Sequence, residues 1–374
     1  MADVKMVDLI EEDESYSDDS LFNISSWGAD LSFRELISMY DENDLLKPEL
    51  QRKYVWTPEE ASKFIDSLLL GLPVPSIFLA KVGDKRLIID GYQRIMTVYD
   101  FVKGIWSGDR KLFKLSNSKV INERWRGKSF SELSSEEQTR IRTTTIHAII
   151  FEQKHPKGDT GMYQVFERIN TSGRNLKPQE IRNCVYQGNL NDVLFLLNRN
   201  TQWRDLLDTK KEDPRMNDIE LILRFFAFYE FIHSDIETNQ ISLKQYLNTY
   251  MKKHKDENQL WIDEQERRFN EVVSVLWDKL GKVAFRNISE AKSEDDDIKF
   301  SKPIHPAILD ALMVSTALML DLNLDFSILN YSFYEQYIKL LSDNEFRDCI
   351  SIRTTNVENI KRRIELAKKY LYEV

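Results

Sequence analysis

The sequence predicts an α+β fold in which an N-terminal domain of mixed strands and helices precedes a mainly α-helical C-terminal domain. Apolar runs of strand length occur before residue 152 and are interleaved with helix signals. From Leu190 to Val374, by contrast, nearly all of the sequence has helical periodicity. A chain of 374 residues is also long enough for two domains of ordinary size.

Capping residues mark the first two helices of the N-terminal domain. Ser32 with Glu35 forms a capping box that begins a helix through Tyr40. Thr57, followed directly by a proline and two glutamates, begins a second helix. This helix ends at Gly71, since glycine is the residue that most often terminates a helix.

A hairpin and a third helix follow. The apolar runs Ser76–Lys81 and Arg86–Asp90 flank a Gly-Asp turn, which predicts two paired strands. A helix begins after Asp90-Gly91 and runs to about Val102. The remaining predicted elements are a helix over 134–142 capped by Ser134 and Glu137, a strand over 143–151, helices over 158–168 and 177–186, and C-terminal helices over 219–233, 263–280, 304–320, 331–342 and 356–372.

Three regions are predicted along the chain. Residues 1–22 are expected to form an acidic flexible leader, residues 23–190 the α+β domain and residues 191–374 the helical domain. The leader is either a solvated tail or an acidic arm that covers a basic groove.

Charge is unevenly distributed along the chain, whose net charge is −9. Residues 1–50 contain 3 Lys/Arg and 14 Asp/Glu, a net charge of −11. Residues 51–200 carry +8 and residues 201–374 carry −6. A basic surface in the middle block would suit a phosphate-bearing ligand, although the total charge alone suggests the opposite.

Composition excludes several classes of protein. The two cysteines, Cys184 and Cys349, are far apart and have no zinc spacing, and the five histidines are scattered. No basic and then apolar signal segment is visible, and the apolar stretches are too short to span a membrane. These observations predict a soluble cytoplasmic protein.

The strongest motif is Asp90-Gly91-Tyr92-Gln93-Arg94, between an apolar strand and a helix. A helix N-terminus binds anions, glycine allows close backbone approach, and Arg94 can fork onto phosphate oxygens. Asp90 can hold a metal, orient a water or cap the helix, and Gln93 can orient a water or read a polar group. The structural alternative is that Asp90 is only a cap and Arg94 only an ion-pair partner.

Two further segments contain residues suited to nucleic-acid or nucleotide contact. Residues 51–56 (QRKYVW) interleave two cations with two aromatic rings, which suits phosphate contact with base stacking or, alternatively, a half-buried strand. Residues 166–173 (FERINTSG), followed by Glu180, Arg182 and Asn183, gather hydrogen-bonding side chains in a turn and a helix. Their alternative role is turn chemistry and capping.

Four segments together resemble the DUF262 family: QRKYVW, IDSLLLGLPVPSIFL, IIDGYQRIMTVYDFVKG and FERINTSGRNLKPQEIRN. The resemblance covers about residues 30–230. It implies a ParB/sulfiredoxin-like fold, as in the N-terminal part of modification-dependent restriction enzymes of the GmrSD type and in phosphorothioate-sensing antiphage proteins. No His-Asn constellation of a C-terminal DUF1524 nuclease of the HNH type is found.

The family's D-G-Q-Q-R motif is implicated in binding and hydrolysis of nucleoside triphosphates, and residues 90–94 match it with Tyr92 in place of the first Gln. If that Gln orients the attacking water, hydrolysis is slowed or lost here, and otherwise Tyr92 stacks on the nucleotide. The expected site comprises Asp90, Gln93 and Arg94 as catalytic residues, with Asp90 also a metal ligand; Gln51, Arg52, Tyr54, Trp56, Gly91, Tyr92, Thr97, Arg168 and Asn170 at the nucleotide; and Lys53, Arg174 and Arg182 at DNA.

The function expected from this resemblance is that of an NTP-binding, NTP-hydrolysing sensor in a bacterial antiphage or restriction system. It would use Mg²⁺ and respond to DNA, with modified phage DNA as one candidate, and it would act together with a partner nuclease or as a homo-oligomer. The alternative is a non-enzymatic DNA-binding or adaptor module with a degenerate motif. A metal-dependent nuclease built on Asp90 and Glu180 is a weaker third reading, because no paired-carboxylate motif has the required spacing.

Overall fold

The computed structural model describes residues 24–46, 54, 56–107, 109–153, 165, 177–234, 239–288, 298–323 and 332–372. The chain divides into two compact units. The α+β unit comprises the described residues up to 165 together with Asn183–Val185, and the helical unit comprises Lys177–Arg182 and the described residues from Tyr186 onward. The predicted leader, the helix over 158–168 and the loop over 170–173 lie outside the described residues, apart from Val165.

A five-stranded mixed sheet forms the centre of the α+β unit, in the order β1-β5-β3-β4-β2. The pairs β1/β5 and β3/β4 are antiparallel, whereas β5/β3 and β4/β2 are parallel. The β3/β4 pair is the predicted hairpin, so that prediction is confirmed. The strands are β1 (Ile24–Ser32), β2 (Leu45–Leu46), β3 (Ile77–Val82), β4 (Lys85–Asp90) and β5 (Thr145–Gln153).

The helices of this unit begin at the residues that the capping signals predict. Ser32, Thr57 and Ser134 each accept a hydrogen bond from the backbone three residues on, and the glutamate at that position bonds back. The second helix ends at Gly71 in the left-handed conformation, as predicted. The helices are α1 (Phe33–Asp41), α2 (Pro58–Leu70), α3 (Tyr92–Lys103) and α4 (Ser135–Thr143).

The core of the α+β unit lies between the sheet and these helices. Alternate residues of β5, namely Ile146, Ala148 and Ile150, are buried, as expected of a strand with one face toward a core. Phe33 of α1 and Ile65 of α2 are fully buried in the same cluster. The unit is therefore a mixed α+β domain, as predicted, while its ParB/sulfiredoxin-like topology stays a prediction.

The second unit is helical, as the periodicity predicts. No helix in the described part of the chain is long and apolar enough to cross a membrane. The predicted boundary at residues 190/191 falls inside one of its helices. The helices from residue 177 onward are α5 (Pro178–Val185), α6 (Asn189–Leu197), α7 (Thr201–Leu206), α8 (Asn217–Ile232), α9 (Leu243–His254), α10 (Gln259–Leu280), α11 (Pro306–Asp321), α12 (Phe333–Ser342), α13 (Asn344–Ser351) and α14 (Val357–Tyr372).

Arg182, predicted to contact DNA, is instead an internal residue of the helical unit. Its side chain is fully buried and donates to Glu220 Oε2 at 3.0 Å and to Asn248 Oδ1 at 2.9 Å. A phosphate cannot reach a guanidinium enclosed in this way. The prediction relied on the net charge of residues 51–200, and a net charge does not distinguish a buried cation from a surface cation.

His305, the residue before α11, makes the free energy of unfolding of the helical unit depend on pH. Burial lowers the pKa of its imidazole from the ordinary value of 6.5; the nearby Arg363 and Arg224 act in the same direction, and Asp310 opposes them. The unfolded chain therefore binds this proton more readily than the folded chain. We expect the free energy of unfolding to fall as pH drops below about 6.5, and more steeply than in His305→Gln.

Urea unfolding of both proteins at neutral and mildly acidic pH measures this difference. All carboxylates of the chain are common to the two proteins, so their contributions to the pH slope cancel in the comparison. An identical slope for His305→Gln and the parent protein would contradict a neutral His305 in the folded state.

Candidate functional site

The motif Asp90–Arg94 occupies the turn from β4 to α3. Asp90 is the last residue of β4, and Gly91 is the cap residue of α3 with φ +100° and ψ 6°. Asp90 therefore precedes the cap residue, and the alternative that Asp90 serves only as the helix cap is wrong. The turn places a half-exposed carboxylate next to the N-terminus of a twelve-residue helix, where the helix dipole favours negative charge.

Arg94 is committed to groups of the protein. Its Nη1 donates to the carbonyl oxygens of Pro75 at 2.6 Å and Ser76 at 2.7 Å, and its Nη2 donates to Asp90 Oδ2. The side chain is only 12% exposed, compared with 43% for Asp90. In this conformation Arg94 cannot fork onto a phosphate as predicted. Instead, it fixes the orientation of Asp90 and ties the segment before β3 to α3.

Gln93 and Thr97 connect α3 to the described part of the second predicted segment. The Gln93 side-chain oxygen accepts the Trp56 backbone N–H at 3.3 Å. The Thr97 hydroxyl donates to the Gln93 carbonyl at 2.7 Å and so accepts from the Tyr54 hydroxyl at 2.5 Å. The structure thus brings Tyr54 and Trp56 against the motif helix.

Thr97 and Tyr92, both predicted at the nucleotide, face the core. Thr97 is fully buried with its hydroxyl satisfied, and Tyr92 is 4% exposed. Burial raises the pKa of the Tyr92 phenol well above its usual range, and the nearby Tyr40 and Asp100 add to the shift. Neither side chain presents a surface on which a nucleotide can stack, so both predictions need correction for this conformation.

Tyr54 and Trp56 are half-buried, so they are neither fully packed in the core nor fully exposed for stacking. Burial raises the pKa of the Tyr54 phenol, although its hydrogen bond with Thr97 opposes the shift. Its ring packs edge-on against Trp106, with centroids 4.6 Å apart, while Trp56 packs against Phe64 at 5.6 Å. Both residues stay partly exposed.

Several predicted residues cannot be placed. Gln51, Arg52 and Lys53 lie outside the described residues, as do Arg168, Asn170 and Arg174. Their convergence on the Asp90 turn stays a prediction.

Asp100 was missed by the sequence analysis. It lies on α3, is 3% exposed, and accepts from the backbone N–H and the hydroxyl of Ser107, both at 2.8 Å. Burial raises the pKa of its carboxyl, and these hydrogen bonds oppose the shift. The carboxylate fastens the chain that leaves α3. Its spacing from Asp90 does not indicate that Asp100 is buried, since a lone acidic residue in a helix is ordinarily exposed.

Metal binding by protein groups alone is not supported in the described ranges. They contain no group of three or more His, Cys, Asp or Glu side chains that could hold a metal ion. Asp90 would have to share an ion with phosphate oxygens, an arrangement in which Mg²⁺ is often bound.

Residues 33–187 match the family model described as GmrSD restriction endonuclease, N-terminal domain. This segment is a GmrSD-type N-terminal domain. The match includes the whole Asp90 turn, α2, α3 and the residues around Tyr54, in agreement with the resemblance drawn from the motifs. A search of curated proteins found no match.

The GmrSD-type domain ends close to the start of the helical unit. The match stops at residue 187, near the end of α5, and so covers nearly all of the α+β unit but little of the helical unit.

Proposed function

We propose that this chain is a component of a DNA restriction or antiphage system whose GmrSD-type domain binds a nucleoside triphosphate at the Asp90 turn. The family match supports the first part, because the matched domain is named for a restriction endonuclease. The second part depends mainly on one observation: a half-exposed carboxylate at the N-terminus of α3, held in place by Arg94, which is only 12% exposed.

The proposed role of each residue follows from its position. The first turn of α3 would receive phosphate oxygens, since helix N-termini favour anions. Asp90 would hold Mg²⁺ jointly with those oxygens, and Gln93 would orient a water or a polar group of the nucleotide. Arg94 is a positioning residue, because its donors already bind Asp90 and two carbonyl oxygens.

Binding is tested by calorimetric titration of ATP, GTP, CTP and UTP with Mg²⁺ into the full chain. We expect Asp90→Asn to weaken binding of the preferred nucleotide by about tenfold or more, because it removes a charged contact. The amide oxygen retains an acceptor for Arg94, so the thermal midpoint should stay close to that of the parent protein.

Asp84→Asn is the matched control for this variant. Asp84 is an exposed aspartate at the β3–β4 turn of the same unit, so its substitution changes net charge equally and should leave affinity unchanged. Absence of binding for all four nucleotides, or equal affinity in Asp90→Asn and the parent protein, would refute the proposed site.

The alternative is a DNA-binding or adaptor module that binds without hydrolysis, and the position of Tyr92 favours it. The residue that replaces the family's first Gln turns into the core and is 4% exposed, so it offers nothing to an attacking water. This alternative would be supported if the parent protein bound a nucleotide but released no more phosphate than Asp90→Asn does. A partner nuclease or a second copy would then supply the chemistry.

A further inference from the structure

A basic loop connects α3 to the short helical turn before α4. We define it as residues 109–129, which contain seven Lys/Arg and only two Asp/Glu. None of the residues predicted from the motifs lies in it. Its net charge of +5 is more than half of the +8 carried by residues 51–200.

The basic loop is anchored firmly to α2. Asp66 accepts hydrogen bonds from the Trp125 indole N–H at 2.6 Å and from the Asn122 backbone N–H at 3.0 Å. Ser62, also on α2, accepts the backbone N–H of Ser116 at 2.8 Å. The side chains of Phe113, Leu115, Ile121 and Trp125 are buried beneath the loop.

The two ends of the basic loop also pair with each other. The Leu115 N–H donates to the Lys128 carbonyl at 3.0 Å, and the Gly127 N–H donates to the Leu115 carbonyl at 3.1 Å. A loop closed and anchored in this way loses little conformational entropy when it binds a ligand. Its cations are therefore presented on a preorganised surface.

Several of these cations form no close ion pair with a carboxylate, although Lys128 lies near enough to Glu137 to help lower the pKa of that carboxyl. Within the described ranges, no carboxylate pairs with Lys119, Arg126 or Lys128. Lys119 is exposed, and the Arg126 guanidinium donates to the carbonyls of Ile121 and Lys119, which leaves its charge uncompensated.

Two ion pairs of the loop are easily exchanged, whereas Arg124 pairs at 2.9 Å with Glu137, which is only 10% exposed. Lys114 meets Glu132 at 3.5 Å and Lys111 meets Asp109 at 3.2 Å, with both partners of each pair about half exposed or more. Exposed pairs of this kind contribute little and can be replaced by contacts to another anion. The loop thus offers both uncompensated and exchangeable positive charge.

We propose that the basic loop contacts the phosphate backbone of duplex DNA. Cations spread over a whole loop suit a polymer of repeated charges better than a single nucleotide. The aromatic residues of the loop, Phe113 and Trp125, are buried beneath it and are not available to stack on bases. The loop would therefore bind the phosphate backbone without regard to base sequence. The inference rests on the DNA-directed part of the proposed function, but it does not involve the Asp90 turn.

The test is fluorescence anisotropy with a labelled mixed-sequence duplex of about 21 base pairs, two helical turns. The double variant Lys119→Gln with Lys128→Gln should bind about tenfold more weakly at low salt. The slope of log K against log[KCl] should become shallower by about 1–2, since each lost phosphate contact removes about 0.9.

The control variant is Lys85→Gln with Lys302→Gln, which changes the net charge equally. Both lysines are exposed and lack an ion-pair partner within the described ranges, and they lie at the β3–β4 turn and in the helical unit. We expect parental DNA affinity from the control and parental nucleotide affinity from both double variants. Thermal midpoints of all proteins check that the fold is intact.

Three results would overturn the inference. Equal DNA affinity in the two double variants would show that the basic loop makes no contact, whatever the nucleotide result. Loss of nucleotide binding with DNA binding intact would assign the loop to the nucleotide instead. Equal competition by polyglutamate at matched charge concentration would show that the loop binds acidic polymers in general. In each case nucleotide binding by the parent protein tests the Asp90 site separately.

Discussion

Asp310→Ala should lower the free energy of unfolding of the helical unit by about 3–5 kcal/mol, because it removes a buried carboxylate to which two buried arginines donate. Asp310 is fully buried on α11. Its Oδ2 accepts from Arg224 Nη2 at 2.6 Å and from Arg363 Nη2 at 2.9 Å, and its Oδ1 accepts from Arg224 Nε at 3.1 Å. The network therefore joins α8, α11 and α14.

The cost arises because the arginines stay charged. Burial lowers the pKa of Arg363 to about 10, against the opposing effect of Asp310, so at neutral pH the guanidinium is still protonated. Without Asp310, both guanidinium groups would lose a shared carboxylate in a space that excludes water. A loss of this size is a large fraction of the stability of an ordinary domain, about 5–15 kcal/mol.

The neighbouring surface pair provides the control for this measurement. Arg362, the residue next to Arg363 on α14, pairs with Glu345 at 2.6 Å, and both side chains are about half exposed. Glu345→Ala should cost at most about 1 kcal/mol, since exposed pairs are weak. Urea unfolding followed by circular dichroism gives both values. Similar midpoints for Asp310→Ala and Glu345→Ala would show that the buried network contributes no more than a surface pair.

Features encoded by neighbouring residues were predicted from the sequence. The capping boxes at Ser32, Thr57 and Ser134 and the glycine that ends α2 were all found, because each signal lies within a few residues of the helix end that it determines. The β3/β4 hairpin was found for the same reason. These local signals fix the position of α3 after β4, and hence the place of the motif in the fold.

Features that depend on distant residues were not predicted. The place of β5 between β1 and β3 is decided by packing between segments more than sixty residues apart, for which the sequence contains no local signal. The partners of Arg94 are backbone carbonyls, which every residue possesses, so no residue type in the sequence identifies them. The motif was therefore located correctly, while the direct phosphate contact expected of Arg94 was not met.

Buried charge explains the correction to Arg182. Arg182, Arg224 and Arg363 are enclosed with carboxylates in the helical unit, whereas the cations of the basic loop are exposed or, at Arg126 and Lys128, partly exposed. A sequence gives both groups the same weight in a charge count. The structure separates them, and this separation moves the candidate DNA contact from Arg182 to the basic loop.

Gly91→Ala should destabilise the α+β unit by roughly 2–5 kcal/mol, through backbone strain and overpacking together. Gly91 has φ +100°, which side-chain-bearing residues rarely adopt. An added Cβ would lie 2.3 Å from Ile77 Cγ2 and 2.9 Å from Ile77 Cβ. Ile77 is fully buried on β3, so it has little room to move away. Thermal unfolding of the full chain measures the loss, and nucleotide binding should fall with it because the turn positions Asp90.

Two other glycines separate the contributions of strain and clash. Gly71 and Gly83 also have positive φ, +75° and +61°, but an added Cβ at either position meets no atom within 4 Å. Their alanine variants should lose only about 1–2 kcal/mol from backbone strain. Adding Ile77→Ala to Gly91→Ala should then cost less than the sum of the two single changes, because the smaller side chain removes the clash. Strict additivity, or equal losses at all three glycines, would show that close packing against Ile77 is not what requires glycine in this turn.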